Sequence, residues 1–460
     1  MLHNNIGCIF CSEFVHFGEI IIESECMSIK RQKREDTLRI RAKRKKKGKP
    51  GSGSSVKRPN ALLYCFAYAL GYPLLKLLFR LDDGRKDFVR PKGPFLVIAN
   101  HSTMLDFLFV MLPFYPRRIN AVTTSRYFFS RPLNKILPMM GCIPKDQFEP
   151  DFMSIKHVKS VLKRGGSILL FPEGRCSTDG AFSGIHNATG KLVKNLGVPV
   201  ISCYIDGAYT CLPHWRKGIR LGRVRVSMSE LFSIEDTQEL SVDEINNAIC
   251  ARLSGEDEPR SGKPIRTLHA RRLAEGLEHI LYWCPKCGME STMVSKGNEF
   301  RCTACGNCAV VAKTGKLVPK NDSIIPDTVS DWYVEQARHL SQELSEDMEP
   351  IIGTVNIQVT PSGKSGGAMQ TGRGELVISP KGWAFEGLLN GEPAELFFPV
   401  ETVPAVPFEY DGDFMIYAHG NIYRFMPEYP RLGLRYSLLG ELAHRKFSTR
   451  SVITHGHVKT

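Results

Sequence analysis

Two apolar runs, Phe95-Leu96-Val97-Ile98-Ala99 and Ser167-Ile168-Leu169-Leu170-Phe171, set the framework of this chain, because each ends directly in a polar turn. The first is introduced by Pro91, Gly93 and Pro94 and reads as a buried strand delivering Asn100-His101-Ser102-Thr103 to its carboxyl end. That end is the ligand-facing edge of an open α/β sheet. The second run repeats the design and delivers Pro172-Glu173-Gly174-Arg175. An α/β fold is therefore expected. Asp106 follows His101 by five residues, which on one continuous helix would set the side chains about 140° apart. They meet if His101 lies in the strand-to-helix turn and Ser102 or Thr103 caps the helix, so that Asp106 folds back under the imidazole.

His101-x4-Asp106, Phe171-Pro172-Glu173-Gly174 and Val198-Pro199-Val200 resemble, in order, blocks one, three and four of the glycerolipid acyltransferases, in particular the 1-acylglycerol-3-phosphate acyltransferases. The resemblance runs from about Leu62 to Phe232, under half of the chain. It implies an acyl thioester donor, acyl-coenzyme A or acyl carrier protein, and a lysophospholipid acceptor, most directly 1-acylglycerol-3-phosphate. Another lysophospholipid or glycerol 3-phosphate is the alternative acceptor. His101 would take the proton of the acceptor hydroxyl as it attacks the thioester carbonyl, with Asp106 holding the imidazole tautomer and no acyl-enzyme required. An oxyanion donor is expected from backbone N–H groups near the helix start. Glu173, Gly174 and Arg175 would line the polyol-phosphate site, glycine by close backbone approach and arginine by its fork. The residues alone leave open a satisfied turn histidine and an ordinary Pro-Glu-Gly turn. Two positions depart from the family pattern. Gln147 stands where block two carries arginine, and Arg175 precedes the usual arginine position, which Cys176 occupies. Lys145 and Arg175 are left to supply the positive charge, although a lysine does not replace a fork.

Charge points to a membrane surface. The stretch from Lys30 to Lys49 holds twelve Lys/Arg against Glu35 and Asp36, which is ten of the chain's formal net charge of +14. With the Gly51-Ser52-Gly53-Ser54-Ser55 linker behind it, 1–60 is expected to be a disordered basic arm, by its charge suited equally to anionic lipid head groups and to nucleic acid. The apolar stretch 61–79 is interrupted by Gly71 and Pro73 and charged by Lys76. Two short helices in the bilayer interface are expected, with Tyr64, Tyr68 and Tyr72 near the head groups. A single span and a buried core hairpin are the alternatives. The expected location is the cytoplasmic face of a membrane, peripheral or monotopic. Met1–Cys26 lacks a signal-peptide pattern, and Met27 directly precedes the arm, so either methionine serves as a start. Phe107 to Leu112 either wall an acyl-chain site or form core.

Four of the fourteen cysteines stand apart: Cys284-x2-Cys287 and Cys302-x2-Cys305, joined by a stretch that reads as a hairpin. Two such knuckles make a closed tetrahedral thiolate site, a structural zinc ribbon, and Cys308 is expected to be a bystander. The expected division is an acyltransferase domain with membrane-associated helices over 61–253, a helix plus zinc ribbon over 265–312, and a small β-rich domain over 350–447. The helix is placed at Ile265–Tyr282, and another at Asp331–Met348. In the last part, six strand-like runs and a helix at Leu434–His444 suggest a barrel resembling pleckstrin-homology or GRAM modules. Gly363-Lys364-Ser365 reads as a turn, because Gln358 stands where a phosphate loop needs glycine. A zinc-ribbon nucleic-acid-binding protein is the alternative of another class. It leaves His101, Asp106 and Glu173 without a role, so no nucleic-acid partner is expected.

Overall fold

The computed structural model describes residues 56–86, 88–148, 151–255, 271–361 and 369–448. The basic arm up to residue 55 and the Gly363-Lys364-Ser365 turn lie outside the described residues. At the centre is a six-stranded sheet ordered β3-β2-β4-β1-β5-β6, built from β1 (Leu96–Ala99), β2 (Ile119–Thr124), β3 (Ile143–Lys145), β4 (Ser167–Leu170), β5 (Val200–Asp206) and β6 (Arg225–Phe232). The first five strands run parallel, and β6 closes one edge antiparallel to β5. Phe95, Val97 and Ala99 pack on one face with Phe79, Phe109 and Val110, while Leu96 and Ile98 pack on the other with Val158, Val193 and Ile249. Burial on both faces explains why β1 is an unbroken apolar run rather than an alternating one. In register, Leu96 lies opposite Ile168 and Ile98 opposite Leu170, so the turns leaving β1 and β4 open side by side.

The stretch 61–79 departs from expectation. It is one continuous helix, Ala61–Phe79, with a π-helical turn over Ala67–Gly71. Pro73 falls in the first turn of the segment that follows, and the wider turn before it absorbs the missing N–H that was expected to break the helix. The tyrosines have partners within the protein. Tyr64 is buried and its hydroxyl donates to the Met111 carbonyl (3.1 Å), Tyr68 stacks on Tyr115, and Tyr72 bonds Asp83 and Arg85. The opposite stripe, Leu62, Phe66, Leu70, Leu74 and Leu77, is exposed. Phe109 to Leu112 are core.

Between Cys284 and Pro319 a second, antiparallel sheet contains β7 (Met293–Lys296), β8 (Glu299–Cys302), β9 (Cys308–Val311) and β10 (Leu317–Pro319), so this body continues past residue 312. The helix expected at Ile265–Tyr282 is absent from its described part. Residues 271–282 form successive turns with only a short 3-10 segment, Leu277–His279. Gly276 explains this: its φ is +94°, and a Cβ there would sit 2.3 Å from the Trp215 carbonyl oxygen. Leu273, Leu277, Ile280 and Leu281 are nevertheless buried, docked on Phe300 and Met293.

The helix Val329–Glu343, started by a Thr328/Asp331 capping box, leads to the C-terminal sheet. That sheet, ordered β14-β13-β12-β11-β16-β15, comprises β11 (Ile351–Pro361), β12 (Gln370–Ser379), β13 (Gly382–Leu389), β14 (Glu392–Pro399), β15 (Phe414–Ala418) and β16 (Asn421–Pro427). All its pairings are antiparallel, and the helix Gly433–Phe447 packs against it. The four-cysteine body and this sheet were expected as separate domains. They share one hydrophobic cluster, which also holds Trp332 and Leu340 of the helix between them.

Candidate active site

His101 sits in the turn after β1, and Asp106 opens the helix Asp106–Met111. Neither Ser102 nor Thr103 is its cap; the helix starts later, and Asp106 itself reaches back. Its fully buried carboxylate accepts from His101 Nδ1 (3.0 Å), the Ser102 and Thr103 N–H groups (2.6 and 2.8 Å) and the Thr103 hydroxyl (2.6 Å). Protonation at Nδ1 leaves Nε2 as the basic nitrogen, an assignment that follows from this hydrogen bond. The ring stacks on Phe171, with centroids 4.2 Å apart. Burial opposes the imidazolium, but Cys176 and Asp106 outweigh it and hold His101 well above its ordinary value. Asn100 ties the turn to β5 by exchanging hydrogen bonds with Ile205 (2.7 and 3.0 Å), a role without a local sequence signal.

Glu173, expected to line the polyol-phosphate site, bridges the turn after β1 and Ser183. One carboxylate oxygen accepts the His101 N–H (2.6 Å), and the other accepts from the Ser183 N–H and hydroxyl (2.9 and 2.7 Å). Burial pushes its carboxyl up to about 7 against these hydrogen bonds. The amides of His101, Ser102 and Thr103 are thus all committed, so the oxyanion donor expected here is not among them. Gly174 has φ +74°, and a Cβ placed there would find only Phe148 Cε1, at 3.9 Å. The backbone at Gly174 is therefore open to close approach.

A family model described as "Acyltransferase" matches residues 80–206, which span β1, β4 and both turns. Among curated proteins, the chloroplastic 1-acyl-sn-glycerol-3-phosphate acyltransferase LPAT1 of Arabidopsis thaliana is 25% identical over 158 residues, 34% of this chain and 43% of that protein. The corresponding chloroplastic BAT2 of Brassica napus is 24% identical over 147 residues, 31% of this chain and 42% of that one. A crystal structure of the 1-acyl-sn-glycerophosphate (LPA) acyltransferase PlsC from Thermotoga maritima superposes with a TM-score of 0.36 and 18% identity, covering 43% of this chain and 81% of that one. The chain spans less than half the length of the two plant relatives. Residues 80–206 match the acyltransferase family model, and the relatives that align with this chain carry the name 1-acyl-sn-glycerol-3-phosphate acyltransferase.

In this acyltransferase-matched region Arg175, expected on the acceptor side, has a partner within the protein. Arg175 forks onto Glu441 of the C-terminal helix, with Nη2 3.0 Å from Oε2 and Nη1 on Oε1. Gln147, in the arginine position of block two, donates to the Gly174 carbonyl (2.5 Å) and accepts from the Tyr417 hydroxyl (2.8 Å) on β15. Arg126 donates to Glu409 (2.7 Å). The C-terminal sheet and helix thus engage Gln147, in the block-two arginine position, and Arg175, one place before the block-three position that Cys176 occupies. Lys145, at the carboxyl end of β3, donates to the Asp146 carbonyl (3.2 Å), and burial holds it below its ordinary value. His186 is lowered by burial and by the nearby Lys145 and Lys191, so two cations and an imidazole gather there. Sequence reasoning missed His186 and Lys191, which lie outside every motif.

The four cysteines also converge. All four Sγ atoms lie within 4.8 Å of one another, with Cys284–Cys305 at 3.7 Å and Cys287–Cys302 at 3.8 Å. A tetrahedron with metal–sulfur bonds of about 2.3 Å has edges of about 3.8 Å, which the Cys284–Cys305 and Cys287–Cys302 pairs match. Thr292 Oγ1 lies 3.2 Å from Cys302 Sγ, and Asn307 Nδ2 donates to Cys284 Sγ at 3.7 Å, outer contacts suited to thiolates. Cys308 is buried outside this set.

Proposed function

We propose that this chain transfers a fatty acyl group from an acyl thioester, acyl-coenzyme A or acyl carrier protein, to the hydroxyl of a lysophospholipid, with 1-acylglycerol-3-phosphate as the first candidate. The carrying observation is the imidazole at the tip of β1, its Nδ1 held by a buried carboxylate beside the open Gly174 backbone. His101 Nε2 takes the acceptor hydroxyl proton, the oxygen attacks the thioester carbonyl, and the donor thiol departs. Asp106 orients the ring and stabilises its cation. Lys145 supplies charge for a phosphate head group. The test is release of free thiol by purified protein given acyl-coenzyme A and a panel of acceptors: lysophosphatidate, other lysophospholipids and glycerol 3-phosphate. Lysophosphatidate is expected to be preferred; no release with any acceptor and either donor carrier would end this reading.

The working place is the cytoplasmic surface of an anionic membrane, to which the chain binds peripherally. Support comes from the exposed stripe on Ala61–Phe79, where Leu62 is 83% and Leu77 75% exposed, and from the basic stretch that precedes it. Burying one such leucine in the interface contributes about 1.5–3 kcal/mol. Leu62→Gln with Leu77→Gln is expected to weaken vesicle binding by about tenfold or more at any salt. Deleting residues 30–49 is expected to weaken it mainly at low salt. Co-sedimentation with phosphatidylserine vesicles measures both, and unchanged binding in both variants would make arm and stripe inert. The pleckstrin-homology or GRAM likeness of 350–447 belongs to this proposal, supported by an antiparallel sheet closed by one terminal helix.

Cys284, Cys287, Cys302 and Cys305 are assigned one structural zinc, a closed site that ties the knuckles together without reacting. Metal analysis of protein purified without chelator is expected to give one zinc per chain, lost in Cys305→Ser. Zinc-free protein with unaltered stability would remove the assignment.

A further inference from the structure

His101 is tied to the turn after β4 through both of its backbone polar groups. Its N–H donates to Glu173 (2.6 Å), and its carbonyl accepts the Ser177 N–H (2.7 Å). Asp106 fixes the ring within its own turn, whereas these two bonds fix where that turn stands beside Gly174. The place of Ser177 is set in turn by Asp179. One Asp179 carboxylate oxygen accepts from the Ser177 hydroxyl (3.0 Å) and the Ala181 N–H (3.2 Å), and the Ser177 hydroxyl accepts the Gly180 N–H (2.9 Å). An ordinary Asx turn would end there. Here the other oxygen accepts from the hydroxyl of Ser330 (2.6 Å), 151 residues further on, in the first turn of the helix Val329–Glu343. The same loop is held from a second side, two residues before Ser177, by the Arg175 fork on Glu441. Packing closes it: Gly180 has φ +93°, a Cβ there would sit 2.5 Å from Tyr209 Cδ1, and the Tyr209 hydroxyl donates to the Thr178 carbonyl (2.6 Å). Ser177 is buried, so a hydrogen bond lost there is not made good by bulk water.

We propose that Asp179 is a positioning residue for His101, coupling the C-terminal body to the site through Ser330 on one side and Ser177 on the other. This rests on the acyltransferase reading above and adds to it a part for the residues beyond 270. Asp179 acts through the Ser177 N–H and the His101 carbonyl. Its loss loosens the turn after β1 against Gly174 and leaves the bond between Asp106 and Nδ1 in place. A misplacement of about 1 Å at a reacting group costs about a hundredfold in rate, so the effect falls on kcat and not on substrate binding.

The test compares Asp179→Ala, Asp179→Asn and Ser330→Ala in the full chain, with palmitoyl-coenzyme A and lysophosphatidate as substrates. Asp179→Ala is expected to lose at least about thirtyfold in kcat, with both KM values within about twofold. Asparagine keeps one oxygen for Ser177 and Ala181 and offers its amide to the Ser330 oxygen, so Asp179→Asn is expected to stay within about threefold of wild type. Ser330→Ala removes the C-terminal contact alone and is expected to lose about three- to tenfold in kcat. Hydrogen exchange of the peptide carrying Ser177, followed by mass spectrometry without substrate, is expected to quicken in both alanine variants and not in Asp179→Asn. A wild-type kcat in Asp179→Ala overturns the proposal, as does an equal loss in Asp179→Asn or a raised KM at unchanged kcat, which would make Asp179 a substrate ligand. Should Asp179→Ala fail to fold, Ser330→Ala decides, and wild-type kcat and exchange in it overturn the coupling. Absence of thiol release by the wild type with every acceptor ends the acyltransferase reading itself, so the two failures are distinguishable.

Discussion

His101→Ala is expected to lower acyl transfer about a thousandfold, the scale of a lost general base, while the protein stays folded. The two halves of this expectation have separate causes. His101 Nε2 is the basic nitrogen beside the open Gly174 backbone, so removing the ring removes the proton acceptor from every transfer step. The side chain is 19% exposed, and Asp106 keeps the Ser102, Thr103 and Thr103 hydroxyl donors after its removal. Asp106 stays fully buried without its imidazolium partner, though with three donors left to it, and the expected stability loss is about 3 kcal/mol. Thiol release and a urea unfolding midpoint, measured on the same preparation, check both halves. Turnover within a few-fold of wild type would take the imidazole out of the mechanism.

What the sequence disclosed and what it hid divide by distance along the chain. His101 and Asp106 are five residues apart, and the strands that carry the two turns announce themselves by apolar runs, so the catalytic edge was legible. The C-terminal strands were legible for the same local reason: each has its own alternation and turn. The partners of Gln147, Arg175 and Arg126 are Tyr417, Glu441 and Glu409, more than 260 residues away, and no local pattern announces such a pair. Cys176 was visible only as a departure from a motif, and its approach to the His101 ring depends on β1 and β4 being neighbours. The misread helix has a different cause. Leu273, Leu277, Ile280 and Leu281 satisfy a helical period, yet Gly276 must take a left-handed conformation against the Trp215 carbonyl, and tertiary packing overrides the period.

The contact between Arg175 and Glu441 has a consequence for both stability and substrate recognition. Glu441 is 8% exposed and also accepts the Val406 N–H (2.9 Å). Burial works against its carboxylate, but the Arg175 guanidinium outweighs it and holds the carboxyl below its ordinary value of 4.5. A lowered carboxyl contributes stability that is complete above that value and lost as pH falls through the folded one, so the pair is fully effective at neutral pH. Arg175→Ala at pH 7 leaves a nearly buried carboxylate with one backbone donor, and the expected loss is about 3 kcal/mol. Arg175→Met combined with Glu441→Leu removes both charges at similar volume and is expected to recover most of that loss. Urea unfolding of the two variants reads the difference. The same double variant separates the two roles available to Arg175: a domain clamp leaves the lysophosphatidate KM within about twofold, whereas a phosphate ligand raises it at least tenfold, the worth of a charge-assisted hydrogen bond. The geometry favours the clamp, because the fork that would grip a phosphate is already closed on a carboxylate of the C-terminal helix.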